Sequence, residues 1–521
     1  MTQPVNLIFF QSDNHNRAVT GCYGHQFVQT PNIDRIANVG VRFANSYSTS
    51  ALCCPARAAI ATGRYPHQTG FWDNAIAYDG SVPTWHHRLR EQRHTVVAVG
   101  KLHYRSAEDD NGFTEEIEPM HLHDGKGAIK NLLRGYDAEP AKDDGSFWTL
   151  YTQRSGVGET HYQAYDRRIS AKSIEWLKRH GKGGGKPWVL YVSYISPHPP
   201  FTVPQRLYDL YPEKDMPLPV GFRPGERTEH PAIQYLRRLD GMLDMTDEAA
   251  LKRIAAGYFG LITHMDEQIG AVMHAAEELG LLANTRIAYT SDHGELFGSQ
   301  GVFGKKNLYE GSVGVPLVLS GPGIRQGGVS KQIVSHVDLY PTLVDGAGAR
   351  LARSDEELRG VSLWPALCGA DTARVGFAEY HAQASKAAAY VLRDGAMKLI
   401  YHVGMPAQLL TLKTTRTNSR IYPARNRPSC RRWNKSCAPY ATPKPSMRAP
   451  KPIKGSGSNT GVGATKSRAR RRFCSRHRRA YRRKKPGGYH QVLPHRPSPN
   501  SSTKAARGER GHTRRKESGS N

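Results

Sequence analysis

Val5-Asn6-Leu7-Ile8-Phe9-Phe10, followed by Gln11-Ser12-Asp13-Asn14, is the stretch from which the fold is read. The apolar run is too short for a buried helix and suits a strand covered on both faces. Polar Ser12-Asp13-Asn14 then ends it. Thr95-Val96-Val97-Ala98-Val99, residues 187–194, residues 286–290 and residues 315–319 repeat the pattern. Residues 31–39, 169–180 and 248–281 read as helices, the first with Ile33, Ile36 and Ala37 on one face. Apolar runs separated by helices predict an α/β fold, a large and mainly parallel sheet with helices on both faces.

The charge is divided as sharply as the pattern. The chain of 521 residues carries 73 Lys and Arg against 45 Asp and Glu, a net +28 that first suggests a nucleic-acid or membrane-surface binder. Residues 411–521 hold 31 of those bases and 2 of the acids, so the first 410 residues are close to neutral, at −1. No acid occurs in the 114 residues between Asp394 and Glu509. This tail is rich in Arg, Pro, Ser and Gly, has no apolar period, and is expected to be disordered. One reading makes it a nucleic-acid-binding arm. The favoured reading is a shift of reading frame near residues 410–413, because the composition breaks shortly after what reads as strand Lys398-Leu399-Ile400-Tyr401.

No apolar run approaches the ~18–20 residues that span a bilayer, and Met1-Thr2-Gln3-Pro4 does not resemble a secretory leader. Cys22, Cys53, Cys54 and Cys368 show no disulfide framework. A cytoplasmic enzyme without a membrane partner is expected. Gly181-Lys182-Gly183-Gly184-Gly185-Lys186-Pro187 fails as a phosphate loop, since Pro187 stands where Ser or Thr is needed, and reads as a connection.

Open α/β sheets place ligands at the carboxyl ends of their strands. Ser12-Asp13-Asn14 and Ser291-Asp292-His293-Gly294 sit at two such ends. Either pair alone would read as a loop or cap; together they offer two carboxylates and two neutral donors to a divalent cation. Between them in the chain, Cys53-Cys54-Pro55-Ala56-Arg57-Ala58-Ala59-Ile60-Ala61-Thr62-Gly63 opens a helix with Pro in its first turn and closes it with Gly. That sets Cys53 at a positive helix end with Arg57 one turn on, where negative charge is favoured.

Cys53-Cys54-Pro55-Ala56-Arg57 resembles the signature of the type I sulfatase family, of the alkaline-phosphatase-like superfamily. Thr30-Pro31-Asn32-Ile33-Asp34, Thr62-Gly63-Arg64-Tyr65-Pro66-His67, Gly100-Lys101-Leu102-His103, Ser196-Pro197-His198-Pro199-Pro200-Phe201, Ser291-Asp292-His293-Gly294 and Gly304-Lys305 with Tyr309-Glu310-Gly311 follow in the family's order. The resemblance implies that Cys53 is oxidised to 3-oxoalanine (formylglycine) by a formylglycine-generating enzyme. One hydroxyl of the hydrated aldehyde would attack the sulfur of a small sulfate ester, and the second would release it by hemiacetal collapse.

It further implies Asp13, Asn14, Asp292 and His293 as metal ligands, with Ca²⁺ the first expectation and Mn²⁺ the second. Arg57 and Lys101 would steady the nucleophile and the sulfate oxygens. His103 would accept the proton of the collapse step, and His198 and Lys305 would bind sulfate and assist the leaving oxygen. Trp72, Asp73 and Asn74 are expected at the pocket rim, and Lys306 as a solvated neighbour. Gly100-Lys101-Leu102-His103-Tyr104 points to the choline-sulfatase-like branch, while a phosphonate or phosphate monoester hydrolase would share the machinery. Residues 1–374 are expected to form the catalytic domain and 375–410 the start of a small α+β subdomain, left incomplete with an open sheet edge where the tail begins.

Overall fold

A computed structural model describes residues 5–127, 147–182 and 187–412, and the backbone of Ile421–Pro423. The remainder of the proposed tail lies outside the described residues, as do residues 183–186 of the Gly-rich connection. In chain order the strands are β1 (Asn6–Ser12), β2 (Gly40–Tyr47), β3 (Thr95–Lys101), β4 (Glu115–Met120), β5 (Gly156–Val157), β6 (Trp188–Ser193), β7 (Thr202–Val203), β8 (Thr285–Ser291), β9 (Leu317–Ser320), β10 (Gly328–Ser335), β11 (Gly376–Tyr380), β12 (Ala389–Asp394), β13 (Met397–His402), β14 (Gln408–Thr411) and β15 (Ile421–Pro423).

Eight of them form one sheet in the order β10-β2-β9-β8-β1-β6-β3-β4. β9 runs antiparallel to both neighbours, and every other pairing in this sheet is parallel. The expected α/β fold is therefore present, with one reversed strand inside it. Strand alternation explains the continuous apolar runs. Leu7 and Phe9 of β1, Val96 and Ala98 of β3, and Val189 and Tyr191 of β6 face one core with Ala58, Ile60, Trp85 and Leu339. Ile8, Phe10, Val97, Val99, Leu190 and Val192 face the other, against Ile33 and Ile36 of helix Pro31–Asn38, Ile169 of helix His161–His180 and Met265 and Ile269 of helix Glu248–Glu278.

Helix Cys53–Thr62 is buried over all ten of its residues. Gly63 ends it with φ 65°, its N–H returning to Ala59 O at 2.9 Å. A side chain is excluded there twice, by the left-handed backbone and because a Cβ would stand 2.8 Å from that of Tyr340.

β11 to β15 form a separate antiparallel sheet in sequence order. The chain continues this sheet further than the sequence reading allows. β14 runs to Thr411, and β15 pairs with it from Leu410↔Ile421 to Gln408↔Pro423. The sheet edge thus lies one strand further on, at β15, because a backbone ladder demands no apolar pattern.

Candidate active site

The carboxyl ends of β8, β1, β6 and β3 lie side by side and point the same way. Ser12 pairs with Ser291, and Asp292 N–H donates to Ser12 O at 3.2 Å, so Asp13 and Asp292 leave two neighbouring strands at the same level. Both side chains are fully buried. A carboxylate stays charged in such a place only with cations or hydrogen bonds around it.

Cys53 begins its helix beside them. Its Sγ lies 3.8 Å from Asp13 Oδ1 and 3.2 Å from His293 Nε2. That nitrogen is 3.7 Å from Asp13 Oδ1 and 3.6 Å from Asp292 Oδ1. His293 Nδ1 faces Gly294 O at 3.0 Å, which keeps the proton on Nδ1 and turns the Nε2 lone pair inward. Gly294 permits this packing, since a Cβ there would stand 2.0 Å from Gly311 O. Asp13, Cys53, Asp292 and His293 each offer a donor atom within 4.8 Å of the others, and no other such group occurs among the described residues. Two carboxylates, a sulfur and an imidazole nitrogen gathered this closely fit a divalent cation. Asn14, at φ 73°, turns back so that its N–H reaches Asp292 Oδ1 at 3.2 Å.

Arg57 ties the strand ends together. Its Nε donates to Asp292 Oδ2 at 2.8 Å, Nη2 to Asp13 Oδ2 at 3.3 Å, and Nη1 to Lys101 O at 2.6 Å and Ser193 Oγ at 2.9 Å. Its hydrogen bonds thus go to the two carboxylates and to the ends of β3 and β6. Lys101 Nζ lies 2.7 Å from Asp13 Oδ2, and Lys305 Nζ donates to Asn14 Oδ1 at 3.3 Å. His198 turns Nδ1 to Pro199 O at 2.8 Å, leaving Nε2 for a ligand. His103 adopts φ 60°, and its buried Nδ1 has no hydrogen-bond partner.

The electrostatics follow from burial and these neighbours. Burial pushes Asp13 up, but the Lys101 ammonium outweighs it and holds the carboxyl well below the usual range. Burial and the Asp13 charge push Asp292 up to about 7 against the pull of Arg57. A divalent cation between the two would remove the cause of that rise. Burial opposes the charge on Lys101, yet Asp13 outweighs it, so the ammonium persists. Burial lowers His293, His103 and His198, helped by Lys305 at the first and third and by Lys101 at the second. Neutral imidazoles suit ligation and proton acceptance. The thiol departs from expectation: burial and Asp13 push Cys53 up to about 12, so they outweigh the helix end and the sulfur keeps its proton.

Asn74 Oδ1 accepts from Cys54 N–H at 3.0 Å, covering one open donor of the helix start. Asp73 is buried and accepts from Gln383 N–H at 2.7 Å, tying the β11–β12 loop to this segment, while Trp72 is half-buried. Lys306 is not solvated: it is buried, with Nζ 2.8 Å from Asp240 Oδ1 and over the Phe147 ring. Three supporting residues were not foreseen. Ser48 Oγ donates to Asp292 O at 2.6 Å, Tyr258 OH to Asn14 O at 2.9 Å, and Glu295 Oε2 accepts from Asn14 Nδ2 at 2.8 Å. Of these only Glu295, next to Gly294, adjoined a motif.

The chain matches the Sulfatase family over residues 5–349. It matches the family described as N-sulphoglucosamine sulphohydrolase, C-terminal, over residues 298–414. It is 30% identical over 416 residues to choline-sulfatase of Rhizobium meliloti, spanning 78% of this chain and 80% of that one. Its fold is similar to the phosphonate monoester hydrolase of Agrobacterium radiobacter, with TM-score 0.66, 22% identity, and coverage of 83% of this chain and 94% of the other. It is also similar to a structure solved in complex with its substrate D-glucosamine-2-N,6-O-disulfate, with TM-score 0.65, 24% identity, and coverage of 84% and 96%. A buried cysteine at a helix start, beside a group of side chains that could hold a metal ion at the ends of parallel strands, and a match over most of the chain lead to one conclusion: the chain belongs to the type I sulfatase family and is a sulfuric ester hydrolase.

Proposed function

We propose that the chain hydrolyses a small sulfate monoester at residue 53, with Asp13, Asn14, Asp292 and His293 holding a divalent cation. The observation that carries this is the convergence of Cys53 Sγ, Asp13 Oδ1 and His293 Nε2 within 3.2–3.8 Å. The bound cation and the aldehyde made from Cys53 supply a Lewis acid and an oxygen nucleophile. Ca²⁺ is the first choice for a set of two carboxylates, an amide and an imidazole, and Mn²⁺ the second. A formylglycine-generating enzyme is the partner that maturation requires.

The remaining roles belong to side chains present in the site. Lys101 and Lys305, both almost fully buried, present ammonium groups to the sulfate oxygens. Arg57 keeps the two carboxylates oriented. Neutral His103, with an unpaired Nδ1, accepts a proton; His198, its Nδ1 held by Pro199 O, assists the departing oxygen once Nε2 has taken up a proton of its own. Likeness to choline-sulfatase supports a small alcohol as the leaving group. Four free thiols among the described residues support a reducing, cytoplasmic setting.

Likeness in fold to a phosphonate monoester hydrolase favours a second reading with the same residues. Rates on an aryl sulfate and an aryl phosphonate decide between them: faster sulfate cleavage is expected, and faster phosphonate cleavage would reverse the assignment. A frame-shifted tail after a catalytic domain (1–374) and a short subdomain (375–410) is our reading; the family match that ends at residue 414, beside the break in composition, supports the last of these boundaries. Resequencing the gene tests it, an in-frame tail being the contrary result.

A further inference from the structure

The amide of Asn14 can offer the cation either its oxygen or its NH₂, and its neighbours make the choice. Asn14 Nδ2 donates to Glu295 Oε2 at 2.8 Å, and Lys305 Nζ donates to Asn14 Oδ1 at 3.3 Å. A carboxylate on one side and an ammonium on the other admit one orientation. Glu295 is wholly buried and its oxygens are shared by four donors. Oε2 accepts from Asn14 Nδ2 and from Tyr151 OH at 3.3 Å. Oε1 accepts from the backbone N–H groups of Phe297, at 3.0 Å, and Gly304. The two backbone donors cannot turn round, so the side of Glu295 that faces them must remain an oxygen.

We propose that Glu295 is a positioning residue: it holds Asn14 Oδ1 toward the cation and, through Gly304, ties the adjoining Lys305 to the same carboxylate. This rests on the reading of Asn14 as a metal ligand. The donor count makes Glu295→Gln informative. Phe297 and Gly304 claim the one oxygen of the glutamine, which leaves its NH₂ facing Tyr151 and Asn14. The hydroxyl of Tyr151 rotates to accept. Asn14 accepts only by reversing its amide, which turns its NH₂ toward the cation. In the double variant Asn14→Asp/Glu295→Gln, the glutamine NH₂ donates to one oxygen of the new carboxylate and the other oxygen faces the cation again.

The test is calorimetric titration of the metal-free full chain with Ca²⁺ and with Mn²⁺, with thermal unfolding measured in parallel. Glu295→Gln is expected to weaken affinity about 10–100-fold, with the unfolding temperature of the metal-free protein little changed, and the double variant to recover most of the loss. A purely packing role for Glu295 would lower the unfolding temperature and leave metal affinity intact. Affinity of Glu295→Gln within about twofold of the parent overturns the proposal, as does a loss that the double variant does not relieve. If Glu295→Gln does not fold, Glu295→Asp, which draws the carboxylate back from Asn14, takes its place under the same criterion. A parent chain that binds neither ion overturns the metal reading itself, and the inference with it.

Discussion

The Glu310 cluster and the Cys53 cluster are both buried and both rich in cations, yet they are built to opposite ends. Arg17 Nη2 lies 2.9 Å and Lys398 Nζ 2.8 Å from the Glu310 carboxylate; the Tyr47 hydroxyl stands at 3.0 Å and Arg393 Nη1 at 3.7 Å. Donors surround a single acceptor there, and Lys398 brings the small sheet against the large one. At Cys53 the arrangement is inverted: Asp13 Oδ1, Asp292 Oδ1 and His293 Nε2 turn toward one another. Acceptors facing acceptors repel unless a cation lies between them. Burial of charge therefore does not by itself distinguish a site from a clamp. The distinction lies in whether donors converge on one acceptor or several acceptors converge on one point.

The contrast breaks most readily at the cation. Removing divalent ions with a chelator is expected to lower sulfate-ester hydrolysis more than about 100-fold, with recovery on adding Ca²⁺ or Mn²⁺. Activity that survives chelation would make the two clusters alike. Lys398→Met attacks the clamp instead, leaving a buried carboxylate short of one partner. A loss of about 3–5 kcal/mol in urea-unfolding stability is expected, with metal affinity unchanged. A parallel fall in metal affinity would show that the clamp and the site are one unit.

Glu379 gives a third, smaller case, a buried carboxylate held by two histidines. Burial raises its carboxyl, but hydrogen bonds from His381 and His67 outweigh that and bring it from 4.5 down to about 2. A folded value below the unfolded one stabilises above about pH 4.5, and the benefit is lost as pH falls toward 2. Glu379→Gln should therefore cost on the order of 2 kcal/mol near neutrality, and the two unfolding curves should converge in acid. A gap independent of pH would assign the loss to packing. The smallest effect is expected from deleting residues 424–521: turnover of an aryl sulfate within about twofold of the full chain, since the family match ends before them. A larger fall would give the tail a part in the site.

The strands that carry the site were legible because β1, β3, β6 and β8 are buried on both faces and read as unbroken apolar runs. β2, β4 and β10 were not, because Arg42 and Asn45, the acids of Glu115–Met120, and Ser330 and Lys331 interrupt the pattern where strands lie near the sheet margins. Asp13, Cys53, Asp292 and His293 could be found because each adjoins an element end that local sequence marks. Glu295 could not: its hydrogen bond to Asn14 spans 281 positions of chain, and beside a metal motif an acid reads as solvated. Lys306 was misread for the same reason, its partner Asp240 lying 66 positions away. The strand ends that Arg57 bridges could not be read, since nothing in a helix signature tells where its guanidinium will reach.

The most direct test of the account is peptide mass spectrometry of residue 53, read against turnover of an aryl sulfate in the same preparation. Activity should rise in proportion to the fraction of chains carrying the aldehyde in place of the thiol. Full turnover by chains that retain an unaltered cysteine at position 53 would contradict it.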